Sequence, residues 1–353
     1  MQLLERLVGS GRSTLVSTLT ALTLALPLES TAKGPELPSF CNLEALYLGA
    51  GKNQKDVKSL LRGGCAIVDP KKKVDFEEIL GELWDYKLDG RAKRNGAAKQ
   101  AAKTVLERYH KNKGLTSIDK YIKSADSVTQ ETFKNLDFDG VAKEYRLNAR
   151  QRKILQKALG TMHGKEIIAY GMTELFPSHN GKRNKSMLDY LLRNAGATYL
   201  ESIPAMYDKY SSYGMWQFTS YAVFDAKGRE EGASRISDHL PLKQQIPGSV
   251  NKLVGEDHVR AAYLFAAHNL ARLVGDLNST QMNAFERYLS RAGKNSNDLV
   301  QYAATAHHLP GKAKTFAAKW LRAGAKQNYG DFTKGRLRDY ATKTRANYGA
   351  LVQ

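Results

Sequence analysis

The sequence predicts an all-α protein. Apolar residues recur at helical spacing in one segment after another, strand-type runs are scarce, and Pro accounts for only 9 of 353 residues. The overall make-up, 42% hydrophobic and 25% charged, is that of an ordinary globular chain. Its length allows a substantial core and two domains, here expected to be a smaller helical domain followed by a larger one.

Taken in order, the chain opens with Arg6 and Arg12, then an apolar stretch over 14–28 interrupted by Ser and Thr and closed by Pro27. That stretch is too short and too hydroxylated to span a bilayer. Ser30 and Ala32 fit the small-residue rule for cleavage, so residues 1–32 read as a signal peptide and the protein as exported, periplasmic or extracellular. The competing reading is a buried helix of the first domain. Cys41 and Cys65 are the only cysteines: a plausible disulfide in an exported chain, free thiols in a cytosolic one. Residues 33–148 are assigned to a helical N-terminal domain. It includes a helical pattern over 76–88 and an amphipathic, cationic pattern over 97–110. The polar stretch 137–148 marks the boundary.

From Ala149 the apolar spacing strengthens. Helices are expected over 151–159, 166–175 (stopped by Pro177), 186–194, 258–274, 281–289, 298–307 and 312–322. Val259, Tyr263, Ala266, Leu270 and Leu273 form one stripe in the longest of them. The second domain is set at 149–330, and 331–353 reads as a basic, polar tail. The net charge of +19 favours a polyanion: nucleic acid, anionic lipid or an anionic cell-wall polymer. His258 and His268 are ten apart, which is not a short metal-ligand spacing, so no metal and no cofactor is expected.

Two places carry candidate chemistry. The first is 211–219, SSYGMWQFT, where Ser212, Tyr213, Gly214, Trp216 and Gln217 combine aromatic faces, an amide, hydroxyls and a flexible glycine without charge. Such a set suits a sugar-binding wall; on composition alone it suits an aromatic turn in the core better. The second is Glu174. Seven residues after Ile167, it projects along the edge of the stripe made by Ile167, Ile168, Met172 and Leu175. A carboxyl there is expected to be partly desolvated, with a raised pKa, as protonation of a glycosidic oxygen requires.

Several segments together resemble one family. IIAYGMTELFP (167–177) resembles the end of the catalytic helix in soluble-type (SLT) lytic transglycosylases and goose-type lysozymes. YGMWQF (213–218) is similar to the family's Gly-x-(Met/Trp)-Gln segment. RAAYLFAAHNL (260–270) is similar to the helix that follows, and AATAHHLPGKA (303–313) resembles the Ala-Tyr-Asn-Ala-Gly-x-Gly segment. Their order matches, and the resemblance covers about 149–322. The departures are Leu175 in place of Ser, His307 and His308 in place of Tyr-Asn, and a long gap from Glu174 to Gln217. That gap holds a Glu-Ser pair of its own, Glu201-Ser202, so Glu201 is the alternative acid.

The resemblance implies a lysozyme-like domain that cleaves the bond between N-acetylmuramic acid and N-acetylglucosamine in peptidoglycan. Glu174 would act as acid and then as base, giving a 1,6-anhydro product. Tyr213, Trp216 and Gln217 would line the sugar sites, Tyr263 would hold the acid, and His307 and His308 would contact sugar or carboxylate. A hydrolase of the same bond would need a second carboxylate, with Asp208, Asp225 and Asp238 available. A non-catalytic wall-binding protein is a further alternative, and a basic nucleic-acid-binding protein another. Against the last, aromatics do not interleave with the basic run over 91–113. The expected partners are therefore a peptidoglycan or related glycan strand and an anionic envelope surface, not nucleic acid.

Overall fold

A computed structural model describes residues 117–176, 179–186, 188–189, 192, 197, 214–218, 232–247, 253, 255–291 and 297–353. The signal-peptide and disulfide expectations at 1–32, Cys41 and Cys65 lie outside these residues. The fold is all-α, with no β-strand among the described residues. In order the helices are α1 (Ile118–Asn135), α2 (Phe138–Glu144), α3 (Ala149–Leu159), α4 (Gly164–Leu175), α5 (Ala233–Ser237), α6 (Glu256–Gly275), α7 (Ser279–Arg291), α8 (Asn297–His308), α9 (Pro310–Arg322) and α10 (Arg336–Val352).

Helices α4 and α6 form the centre. Nearly every residue of α4 is buried, including the polar Glu166 and Thr173, as befits a helix covered by neighbours on several sides. Its start is fixed by neighbours: the Gly164 N–H donates to Asp126 on α1, and the His163 N–H donates to Glu166. α1, α8 and α10 pack around α4, while α1, α3, α5, α8 and α9 pack around α6. α3 begins with a reciprocal capping box between Asn148 and Gln151. The Gln151 amide also donates to the carbonyls of Val274 and Gly275, tying α3 to the end of α6.

Two expected boundaries differ from what is observed. α1 and α2 belong to residues assigned to an N-terminal domain ending at 148. Yet Ile118, Tyr121, Val128 and Val141 share one hydrophobic core with α4, α6 and α8. The polar stretch is a short helix capped by Asp137 rather than a separator. Likewise, the supposed tail is α10, whose buried Leu337, Ala341, Tyr348 and Leu351 pack on α4 and α8.

Candidate active site

Glu174 sits in the last turn of α4. A carboxylate there faces the negative end of the helix dipole, which disfavours ionisation. The residue as a whole is half-buried, but Oε1 is buried and makes no hydrogen bond. Oε2 accepts a long hydrogen bond of 3.4 Å from the Tyr340 hydroxyl of α10. Burial pushes the carboxyl up to about 8, against the opposing pull of the Lys343 ammonium and the Tyr340 hydroxyl. Glu174 therefore holds its proton at neutral pH. With Oε2 engaged by Tyr340, Oε1 is the oxygen left to carry that proton. A buried polar atom without a partner is costly in a folded protein and calls for an explanation, such as a catalytic role.

Around the acid lies a group of aromatic and basic side chains. Tyr170 stands one turn before Glu174 on α4, and its hydroxyl meets Nδ1 of His307 at the end of α8. Burial holds the His307 imidazole down to about 3, with His308 adding to the effect, while a hydrogen bond to the Gln217 backbone opposes it. A neutral ring that donates to the Gln217 carbonyl must accept on Nδ1, so Tyr170 is the donor there. Burial, followed by the Glu174 charge, pushes the Tyr170 phenol up. His308 is half-buried, and its ring stacks on Tyr340 at 4.6 Å with an interplanar angle of 13°. Its own ionisation is pushed down, mainly by burial and then by Arg336 and Lys343.

The stretch expected to form a sugar wall is corrected. Trp216 is fully buried, and its indole N–H donates to the Ile167 carbonyl of α4 at 3.0 Å. Its ring lies against Phe218 and His258. Gly214 has φ +74°, and a Cβ there would stand 1.6 Å from the His258 ring. The close backbone approach that a glycine permits is made to His258, not to a ligand. The Gln217 side chain, half-buried, folds back to donate to the Gly214 carbonyl at 2.7 Å. Tyr263 does not hold the acid: it is buried and donates to the Leu159 carbonyl at 3.1 Å. Glu201, Ser212 and Tyr213, with Asp208 and Asp225, lie outside the described residues. Asp238 is exposed at the end of α5, a helix that packs on α6.

What the 214–218 segment does instead is join three helices. Trp216 bonds α4, Phe218 meets Phe265 of α6 at 6.2 Å, and Phe218 meets His307 of α8 at 5.6 Å. All four segments that carry the family resemblance thus meet in one place. Tyr340 and Lys343 are neighbours of Glu174 that the sequence reading missed. The signal was available, since Tyr340, Thr344 and Asn347 recur at helical spacing on one face of α10.

No protein-family model matches the chain, no curated protein matches it, and no solved structure matches it. Among the described residues no group of His, Cys, Asp and Glu is arranged to hold a metal ion, and no helix is long and apolar enough to cross a membrane. A surface hollow lined by Asn283, Glu286, Arg287, Ser290 and Arg291 shares no residue with the Glu174 cluster.

Proposed function

We propose that the protein is a peptidoglycan lytic transglycosylase with Glu174 as its acid and then its base. The observation that carries this reading is the Glu174 carboxyl: buried at Oε1, without a partner there, and pushed up by that burial to about 8. Oε1 would give its proton to the glycosidic oxygen between N-acetylmuramic acid and N-acetylglucosamine as the bond from that oxygen to C1 breaks. The carboxylate so formed lies near the Lys343 ammonium and the Tyr340 hydroxyl, both of which stabilise it. It then takes the proton of the muramyl C6 hydroxyl, whose oxygen closes on C1. The product is a 1,6-anhydro sugar, and Glu174 is protonated again.

The spatial meeting of the family-like segments supports the same reading. So does the electrostatic setting of Glu174. Among the described residues, the charged or polar groups that act on its carboxyl are Lys343 and Tyr340 rather than a second carboxylate. One carboxyl suffices for the anhydro route, whereas inverting hydrolysis needs two. The export expected from residues 1–32 would bring the chain to its polymer. The charge of +19 would hold it to an anionic wall through an attraction that salt weakens.

The test is digestion of purified peptidoglycan with mass analysis of the released fragments. Anhydro-muramyl ends are expected, and Glu174→Gln should lower their release at least about 100-fold while leaving the helical spectrum unchanged. Reducing ends would replace the lyase with a hydrolase. Binding without release would leave a wall-binding protein. Full activity in Glu174→Gln would move the acid to Glu201.

A further inference from the structure

We propose that α10 is the positioning element of the site, with Tyr340, packed against His308 and Lys343, orienting the Glu174 carboxyl. This helix lies beyond the 149–322 region that resembles the lytic transglycosylases. The inference takes its meaning from Glu174 as the acid, but it can be measured without any activity.

The geometry begins with how α10 lies on α4. Tyr340 reaches Glu174 at one end, and the Tyr348 hydroxyl donates to Glu166 at 2.9 Å at the other, so the two helices run antiparallel. Between these contacts the register is fixed by buried polar groups. The Thr173 hydroxyl pairs with Thr344 at 3.0 Å, and the Asn347 amide donates to Thr173 at 3.3 Å. The Asn184 amide in turn donates to Asn347 at 2.7 Å. A slip of α10 by one residue would break this ladder as well as the Tyr340 contact.

The Tyr340 ring then has two close contacts. His308 stacks on it at 4.6 Å, and the Lys343 ammonium sits over it 4.7 Å from the centroid. Lys343 is itself buried, and Asp339 lies 3.7 Å from its ammonium. These two ring contacts hold Tyr340 where its hydroxyl reaches Oε2 of Glu174.

The titratable groups around Glu174 and Tyr340 come from each packed element: Tyr170 on its own helix and Tyr340 and Lys343 on α10 act on Glu174, while His308 on α8 and Arg336 and Asp339 on α10 act on Tyr340 or Lys343. Tyr340 and Lys343 both favour the ionised carboxyl. Removing either must therefore make Glu174 hold its proton to higher pH.

The test uses the full chain carrying glutamate labelled with 13C at the side-chain carboxyl, with Glu174→Gln identifying the signal. Tyr340→Phe keeps the ring and loses the hydroxyl. Lys343→Met loses the charge, and Lys343→Arg restores it. The Glu174 titration is expected to move up by about one pH unit in Tyr340→Phe and Lys343→Met, and to return in Lys343→Arg. The alkaline limb of kcat should move with it. A titration that stays in place in folded Tyr340→Phe overturns the inference, and because that change is isosteric the fold survives to report it. If the wild-type chain releases no fragment while the titration still moves, the positioning role stands and the lytic reading falls.

Discussion

Gly214 is the residue on which the 214–218 segment turns. Its φ of +74° is the left-handed region, and the His258 ring occupies the space a side chain would need. An L-residue there pays the backbone penalty and must also displace the imidazole from the aromatic block. Gly214→Ala is therefore expected to destabilise the protein by about 3 kcal/mol, read as a lower midpoint in urea. An unchanged midpoint would mean that the segment is not anchored to α6. Composition could not have settled which role this stretch plays. Tyr, Trp, Gln and Gly serve a core turn and, less often, a sugar wall. The deciding partners, the Ile167 carbonyl and the His258 ring, come from distant helices. Glu174 was more legible, because its position at the edge of an apolar stripe is a property of its own helix.

At the scale of elements, α4 and α10 show why one helix was readable and the other was not. α4 carries a run of apolar residues and a terminating Pro177, both local signals. α10 carries Arg336, Arg338, Lys343 and Arg345, which give it the look of a solvated tail. Among its buried positions, Leu337, Ala341, Thr344, Tyr348 and Leu351 keep the spacing of a single helical face, but two of these are small or polar and the stripe is faint. The helix is specified as much by its polar ladder to Thr173 and Asn184 as by apolar burial. Ending the chain after Lys334 would strip that cover from α4 and α8 and leave Thr173 and Glu166 without their α10 partners. Such a chain should lose its cooperative thermal transition by circular dichroism and bind a hydrophobic dye. A sharp transition in the shortened chain would show that α10 is dispensable to the core.

At the scale of the whole molecule, α4, α6 and α8 each carry a titratable group whose neutral form burial favours, and these groups pull stability in opposite directions with pH. His268, whose Nδ1 meets the Tyr145 hydroxyl at 2.7 Å, is pushed from 6.5 down to about 3 by burial, with Arg272 and Arg235 adding to it. Burial likewise takes His307 from 6.5 to about 3. The unfolded chain binds two more protons than the folded one at these sites across that interval, so stability rises with pH from about 3 to 6.5. Glu174 has the opposite sign. Its ordinary value is 4.5 and its folded value about 8, so the folded chain holds the extra proton and stability falls with pH between them. Between 4.5 and 6.5 the two histidines outweigh the one glutamate. Above 6.5 only the glutamate remains, and the balance reverses. These groups place the stability maximum near pH 6.5, with a decline beyond it of at most about 1.4 kcal/mol per pH unit. Urea denaturation from pH 4 to pH 9 measures the curve. Glu174→Gln should flatten its alkaline side while leaving the acid side to the two histidines. A wild-type curve that keeps rising to pH 8 would mean that Glu174 is ionised in the folded protein, which would remove the proton that the lytic reaction requires.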